Sequence, residues 1–345
     1  MKRLLQYGTL SLVLGLSSCD NKELCFNHSE HASRYATEVN ITYEREWEQP
    51  YDNNTDWSTR LDALQLGISY DELRPGIPEG IRLTSFNAAG VRTDNNITPY
   101  GEVVYLSPGT NSLLFYNNDT EYIIFNSMES YSNASATTRS RSRVTFKGNP
   151  YYRPADSSRE EVTVSAPDML YGNYVDEYIQ ERVMTPQPLA VSMHPLTFTY
   201  VVCYRFEHGY DYVALARGAM SGMAGAVYLS NGRTSDEAVT ILYDCTLEPW
   251  GILALVKSFG IPDFPNPHYS RAERSFGLNL EVRLHNGKLL NFDFDISDQI
   301  NSQPHGGVVM VDGINISDET GASGGSGFNV SVDDWGEFED LPITF

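Results

Sequence analysis

Basic residues are scarce in this chain. Its 24 Lys and Arg stand against 45 Asp and Glu in 345 residues, a formal net charge of −21. A protein this acidic repels phosphate backbones and anionic head groups, which sets nucleic-acid binding aside. Long apolar runs are also missing: after residue 16 none approaches the roughly 20 residues that a membrane-crossing helix needs. Cysteine is rare, at four residues. No Lys-Ser or Lys-Thr pair follows the glycines of 321–325, so a phosphate loop is excluded. Gly321-Ala-Ser-Gly-Gly325 has nucleophile-elbow spacing, but a glycine-rich loop leads there into an alternating strand rather than a helix, and the context rejects it.

What is present reads as folded and β-rich. The chain is 41% hydrophobic and 20% charged, with 27 Gly, 17 Pro and 22 Tyr. Short alternating segments such as Val39-Asn-Ile-Thr-Tyr43, Ile81-Arg-Leu-Thr-Ser-Phe86 and Arg143-Val-Thr-Phe146 are divided by turn residues, the habit of antiparallel sheets with one wet face. His285-Asn-Gly-Lys288 signals a tight hairpin. Residues 127–143 are polar and read as an exposed loop, and a short helix is expected near 218–226. The length exceeds what one core usually fills, so two domains are expected.

The N-terminus carries its own instruction. Lys2 and Arg3 precede an apolar stretch ending in Leu16-Ser-Ser-Cys19, the layout of a bacterial lipoprotein signal with Cys19 as the acylated residue. Residues 1–18 are then a signal peptide, 19–36 a tether, 37–165 an N-terminal β-sandwich, 166–188 a proline-punctuated linker and 189–345 a C-terminal β-sandwich. Of the other cysteines, Cys203 and Cys245 lie in strand-like segments that neighbouring strands could bring together as a disulfide; two unpaired core thiols are the alternative. His28 and His31, with Cys25 and Glu30, have metal-ligand spacing, but a tether holds such a set at high entropic cost, and no metal or cofactor is implied. Asp293 and Asp295 share one strand face, where solvation explains them more simply than calcium does.

The C-terminal segment alternates to its end. Phe328, Val330 and Val332, then Leu341, Ile343 and Phe345, are apolar on one face, whereas chain ends are usually polar. Such a segment either completes its own C-terminal sandwich or suits strand addition to a partner's sheet edge.

Several motifs, taken in order, resemble the fimbrillin-like surface lipoproteins of Bacteroides-type bacteria. They are Leu16-Ser-Ser-Cys19 with Lys22-Glu-Leu-Cys25, the 109–125 segment with Tyr116-Asn-Asn-Asp-Thr-Glu121, Pro167-Asp-Met-Leu-Tyr171, Met193-His-Pro-Leu196, Ser221-Gly-Met-Ala224, Phe292-Asp-Phe-Asp-Ile-Ser-Asp-Gln299 and Asp334-Trp-Gly336. The resemblance implies an all-β protein of two tandem transthyretin-like antiparallel β-sandwich domains. It also implies a non-enzymatic fimbrial (pilus) subunit, anchor or accessory adhesin, lipid-anchored at the outer-membrane surface, whose partners are other fimbrial subunits and a host or microbial surface ligand. Stalk subunits of that family lose an N-terminal strand to an arginine-specific protease, which makes Arg34, Arg45 and Arg60 candidate cleavage points by position. The alternative is a surface glycan-binding lipoprotein using exposed aromatics such as Trp47 and Trp57.

Overall fold

A computed structural model describes residues 35–45, 57–142, 161–183, 185–265 and 275–322. It is built almost wholly of strands. The first ten are β1 (Ala36–Tyr43), β2 (Ile81–Asn87), β3 (Arg92–Ile97), β4 (Val103–Tyr105), β5 (Gly109–Asn117), β6 (Ile123–Asn126), β7 (Ser135–Thr138), β8 (Val162–Ser165), β9 (Tyr171–Gln180) and β10 (Gln187–Pro195). Nine more follow: β11 (Phe198–His208), β12 (Val213–Ala224), β13 (Ala226–Tyr228), β14 (Ala238–Asp244), β15 (Thr246–Glu248), β16 (Gly251–Ser258), β17 (Gly277–Leu284), β18 (Leu289–Asp295) and β19 (Gly307–Asn315). Short helices α1 (Trp57–Leu64), α2 (Tyr70–Leu73), α3 (Ser297–Ser302) and α4 (Asp318–Ala322) and a 3-10 turn at Tyr210–Tyr212 complete the described elements. None of them is long and apolar enough to cross a membrane.

Seven strands in the order β3-β2-β5-β9-β10-β1-β4 form one sheet. It bends at the β9–β10 join, where only Gly172 with His194 and Tyr171 with Pro195 are paired. Residues from both sides of that join, including Ile81, Leu83, Leu113 and Phe115 against Val39, Ile41, Val104 and Val191, fill one core. A second core lies between the four-stranded sheet β15-β16-β11-β19 and the five-stranded sheet β18-β17-β12-β14-β8. Tyr200, Val202 and Tyr204 of β11 alternate inward there, against Leu278, Leu280 and Val282 of β17. On the outer face of β11, Val201 and Cys203 pack with Leu61 and Leu73 of α1 and α2.

The division between halves differs from the one the sequence suggests. Residues 166–188 hold strand β9, and β10, expected to open the C-terminal half, lies in the seven-stranded sheet beside β1. The prolines that read as a linker mark strand ends and edges: Pro167 precedes β9, Pro186 precedes β10, and a proline at a strand margin sacrifices little ladder bonding. In turn β8 pairs in parallel with β14, and β13 pairs with β7. The 127–143 stretch is not simply an exposed loop either, since β7 lies within it with Ala136 and Thr138 buried.

The expected helix at 218–226 is strand instead, mostly inside β12. Its small residues serve close packing. A Cβ on Gly218 would stand 2.4 Å from the Tyr243 ring, so glycine is what lets that ring cross the strand. The hairpin at Asn286-Gly287 forms as expected, with Gly287 at φ +83°.

His305, just before β19, stacks on Phe198 at the start of β11 with ring centroids 4.4 Å apart, and meets Phe264 edge-on at 5.1 Å. Burial pushes its imidazole down to about 4. In the unfolded chain it titrates near 6.5, so the neutral ring stabilises the fold above that pH and the contribution is lost as pH falls toward 4. The difference is worth about 3 kcal/mol. Urea unfolding at pH 7.5 and 4.5 should therefore show a smaller acid loss in His305→Gln than in the wild type; equal losses would refute the assignment.

Candidate assembly site

Strand β1 lies between two of the candidate cleavage points, Arg34 and Arg45, in the sequence, and the fold holds it on both sides. It runs parallel to β10 from Thr37 opposite Gln187 to Tyr43 opposite Met193. On its other edge β4 pairs antiparallel, with Ala36 opposite Tyr105. The ladder continues beyond β4, because Val39 N–H donates to Glu102 O and Ile41 N–H to Tyr100 O, both at 3.0 Å. Alternation explains which face is buried: Thr37, Val39 and Ile41 turn inward while Glu38, Asn40 and Thr42 face out.

Gly101 makes this double bracketing possible. Its φ of +92° is a left-handed conformation, and a Cβ there would lie 2.1 Å from Val39 O. Only hydrogen fits at that crossing.

The ends of β1 are fastened by polar contacts. Thr37 Oγ1 is buried with Tyr178 OH at 3.0 Å and donates to Gln180 Oε1. At the other end Tyr43 OH donates to Pro99 O at 2.6 Å, and its ring meets Tyr171 edge-on at 5.1 Å. Burial and the neighbouring Tyr171 raise the Tyr43 phenol well above its usual range. Glu44 N–H donates to Met193 O, its carboxylate holds His194 Nδ1, and Arg45 Nε donates to Pro75 O at 2.9 Å.

Of the other residues singled out from the sequence, Arg60 lies in α1, partly buried. Cys203 and Cys245 are free thiols. Cys203 faces the α1–α2 side of β11, whereas Cys245 follows β14 and packs against the opposite core, which is the unpaired alternative read from the sequence rather than the possible bridge. Burial pushes the Cys203 thiol up to about 12. Cys19, Arg34, Trp47, His28, His31 and the segment with Phe328, Val330, Val332, Leu341, Ile343 and Phe345 lie outside the described residues. Among the described residues no group of three His, Cys, Asp or Glu is placed to hold a metal. Asp293 Oδ1 accepts from Asn279 Nδ2 at 2.7 Å, and Asp295 Oδ1 from Ser297 N–H at 2.9 Å, which accounts for both without calcium.

Residues 59–244 match the family model described as a domain of unknown function, DUF5119. The chain belongs to the DUF5119 family. A curated relative, named as a candidate fimbrium anchoring subunit, Fim4B, of Bacteroides ovatus, is 24% identical over 175 residues. That match covers 50% of this chain and 49% of the relative, so the chain spans about half the length of the curated relative it matches. The crystal structure of a candidate adhesin from Bacteroides ovatus has a TM-score of 0.56 at 18% identity, over 84% of this chain and 94% of that one, which shows a shared fold. The fimbrial anchor protein Mfa2 of Porphyromonas gingivalis is more remote, with a TM-score of 0.44 and 10% identity over 80% of this chain and 90% of that one.

The fimbrillin-like resemblance read from the sequence agrees with the name of the curated relative that this DUF5119 member matches. They are named as fimbrial and adhesin proteins rather than enzymes, in line with the non-enzymatic reading. What sequence reasoning missed is the second edge of β1. Gly101 after Tyr100 signals a turn, but nothing local says that the turn is threaded against Val39.

Proposed function

We propose that this DUF5119 protein is a cell-surface fimbrial subunit of the anchoring kind, with two tandem transthyretin-like sandwiches. The observation behind this reading is the match to a relative named as a fimbrium anchoring subunit, on a strand-built fold like that of a candidate adhesin. Acylation of Cys19 ties it to the outer membrane, since several acyl chains hold durably where one does not. The bracketing of β1 supports an anchor over a shed subunit: a protease needs an extended, accessible segment, and Arg45 at the end of β1 is tied to Pro75 while Glu44 continues the ladder. The alternating segment 328–345 supplies strand addition to the next subunit, where main-chain bonds give affinity and alternate side chains fill pockets.

Immunogold electron microscopy on cells expressing the wild type, Cys19→Ala or a deletion of 337–345 tests the proposal. Wild-type cells should carry labelled filaments, Cys19→Ala cells should release them into the medium, and the deletion should fold but leave filaments unlabelled. Absence of label on wild-type filaments, or retention of filaments by Cys19→Ala cells, would defeat it.

A further inference from the structure

A cavity of about 470 Å³ opens where the bend of the seven-stranded sheet meets the loop after β13. Gly172, Asn173 and Tyr174 of β9, His194 of β10, Leu196, and Leu229, Asn231 and Gly232 line it. In a chain of net charge −21, no Asp, Glu, Lys or Arg stands among these lining residues. That composition offers no carboxylate to a metal ion and no lysine or arginine to a phosphate or a carboxylate.

What the lining offers is neutral hydrogen bonding over an apolar floor. Leu229 is 2% exposed, and Leu196 is packed against the same core cluster. Leu196 also occupies the space where a Cβ on Gly172 would fall, at 2.4 Å, so the floor is set by packing. Tyr174 lines the cavity and is 40% exposed, a large aromatic left available at its edge.

The polar groups are oriented by their other bonds. His194 Nδ1 faces the Glu44 carboxylate, which can only accept, so Nδ1 carries a proton and Nε2 is the ring nitrogen left for a ligand. Asn173 donates its amide N–H to Ser192 O, which leaves Oδ1 to accept. Asn231 Oδ1 takes Arg233 N–H at 2.9 Å, leaving its NH₂ to donate. An acceptor, a donor, an imidazole nitrogen and a phenol therefore border an apolar floor. Hydroxyl groups, which both donate and accept, satisfy such a set, and a ring with one C–H face suits Leu196, Leu229 and Tyr174.

We propose that this cavity binds a neutral sugar unit, a pyranose whose C–H face lies against Tyr174 and the two leucines while its hydroxyls meet Asn173, His194 and Asn231. The volume is within the range of small-ligand sites, roughly 300–1,000 Å³. None of the residues involved depends on the fimbrial reading. The site also differs from the Trp47 and Trp57 platform that the sequence alone offered for glycan binding.

The test is saturation-transfer-difference NMR with the methyl pyranosides of glucose, galactose and mannose and with N-acetylglucosamine, each added to the full soluble chain beginning after Cys19. At least one probe should show transfer to its ring C–H protons. In Tyr174→Ala and Asn231→Ala that transfer should fall at least fivefold while circular dichroism and thermal midpoint stay near wild type. Tyr174→Phe, which keeps the ring, should retain most of it. No transfer to any of the four probes, or transfer untouched by Tyr174→Ala and Asn231→Ala, overturns the proposal. Because the readout is binding by the isolated protein, its failure is separable from failure to label filaments.

Discussion

Replacing Gly101 with alanine should cost this DUF5119 protein about 4 kcal/mol of stability, read as a lowered urea midpoint. Two effects add. A left-handed conformation at a residue with a Cβ costs roughly 1–2 kcal/mol. The new methyl would also stand 2.1 Å from Val39 O and 2.7 Å from its carbonyl carbon, backbone atoms that cannot swing away. Relief requires moving β1 off the Tyr100–Glu102 edge, at the expense of the bonds from Val39 N–H and Ile41 N–H. Each of those is worth about 1 kcal/mol net. Gly90 provides the control, because it has a similar φ of +75° and a Cβ there would meet nothing within 4 Å. Gly90→Ala should cost about 1–2 kcal/mol. Equal losses in the two variants would show that φ alone governs and that the crossing of β1 is loose.

This crossing illustrates what the sequence could and could not reveal. Local periodicity is legible: Val39 and Ile41, Ile81 and Leu83, and the Asn286-Gly287 hairpin all turn out as strand and turn, because a period of two and a φ above zero are properties of a few adjacent residues. The pairings β1 with β10, β8 with β14 and β11 with β19 are all parallel and join residues far apart. No turn residue encodes a parallel register, so the same alternation is compatible with many partners. That is why β9 and β10 read as a linker and the start of another half. The 218–226 stretch misled for a different reason. Glycine and alanine are small enough for a helix interface, yet here the small residues admit the Tyr243 ring from across a sheet, a contact that only the third dimension supplies. The sugar-sized cavity was equally hidden, since residues 172–174, 194–196 and 229–232 meet only after the seven-stranded sheet bends.

Glu281→Gln should be among the most damaging conservative changes in the molecule, lowering stability by about 3–5 kcal/mol. Arg217 on β12 and Glu281 on β17 are directly opposite in the ladder. Their side chains are 1% and 0% exposed, and both Nε, at 2.8 Å, and Nη2, at 2.6 Å, approach Glu281 Oε1. Ala219 and Leu242, fully buried and in contact, lie one pleat away on the same sheet face. Guanidinium is a permanent cation in proteins, so removal of its carboxylate leaves a buried charge without its principal counter-charge. The loss measures that uncompensated charge rather than the worth of the pair. The double replacement Arg217→Met with Glu281→Leu separates the two, because it removes both desolvation costs along with the attraction, and its stability should lie within about 1 kcal/mol of wild type. A double-mutant cycle by urea unfolding with Arg217→Met, Glu281→Leu and the pair gives the coupling directly. If the pair variant is as unstable as the sum of the two single variants, the ion pair contributes no coupling, and the strict placement of β17 against β12 rests on the ladder and the core beneath it.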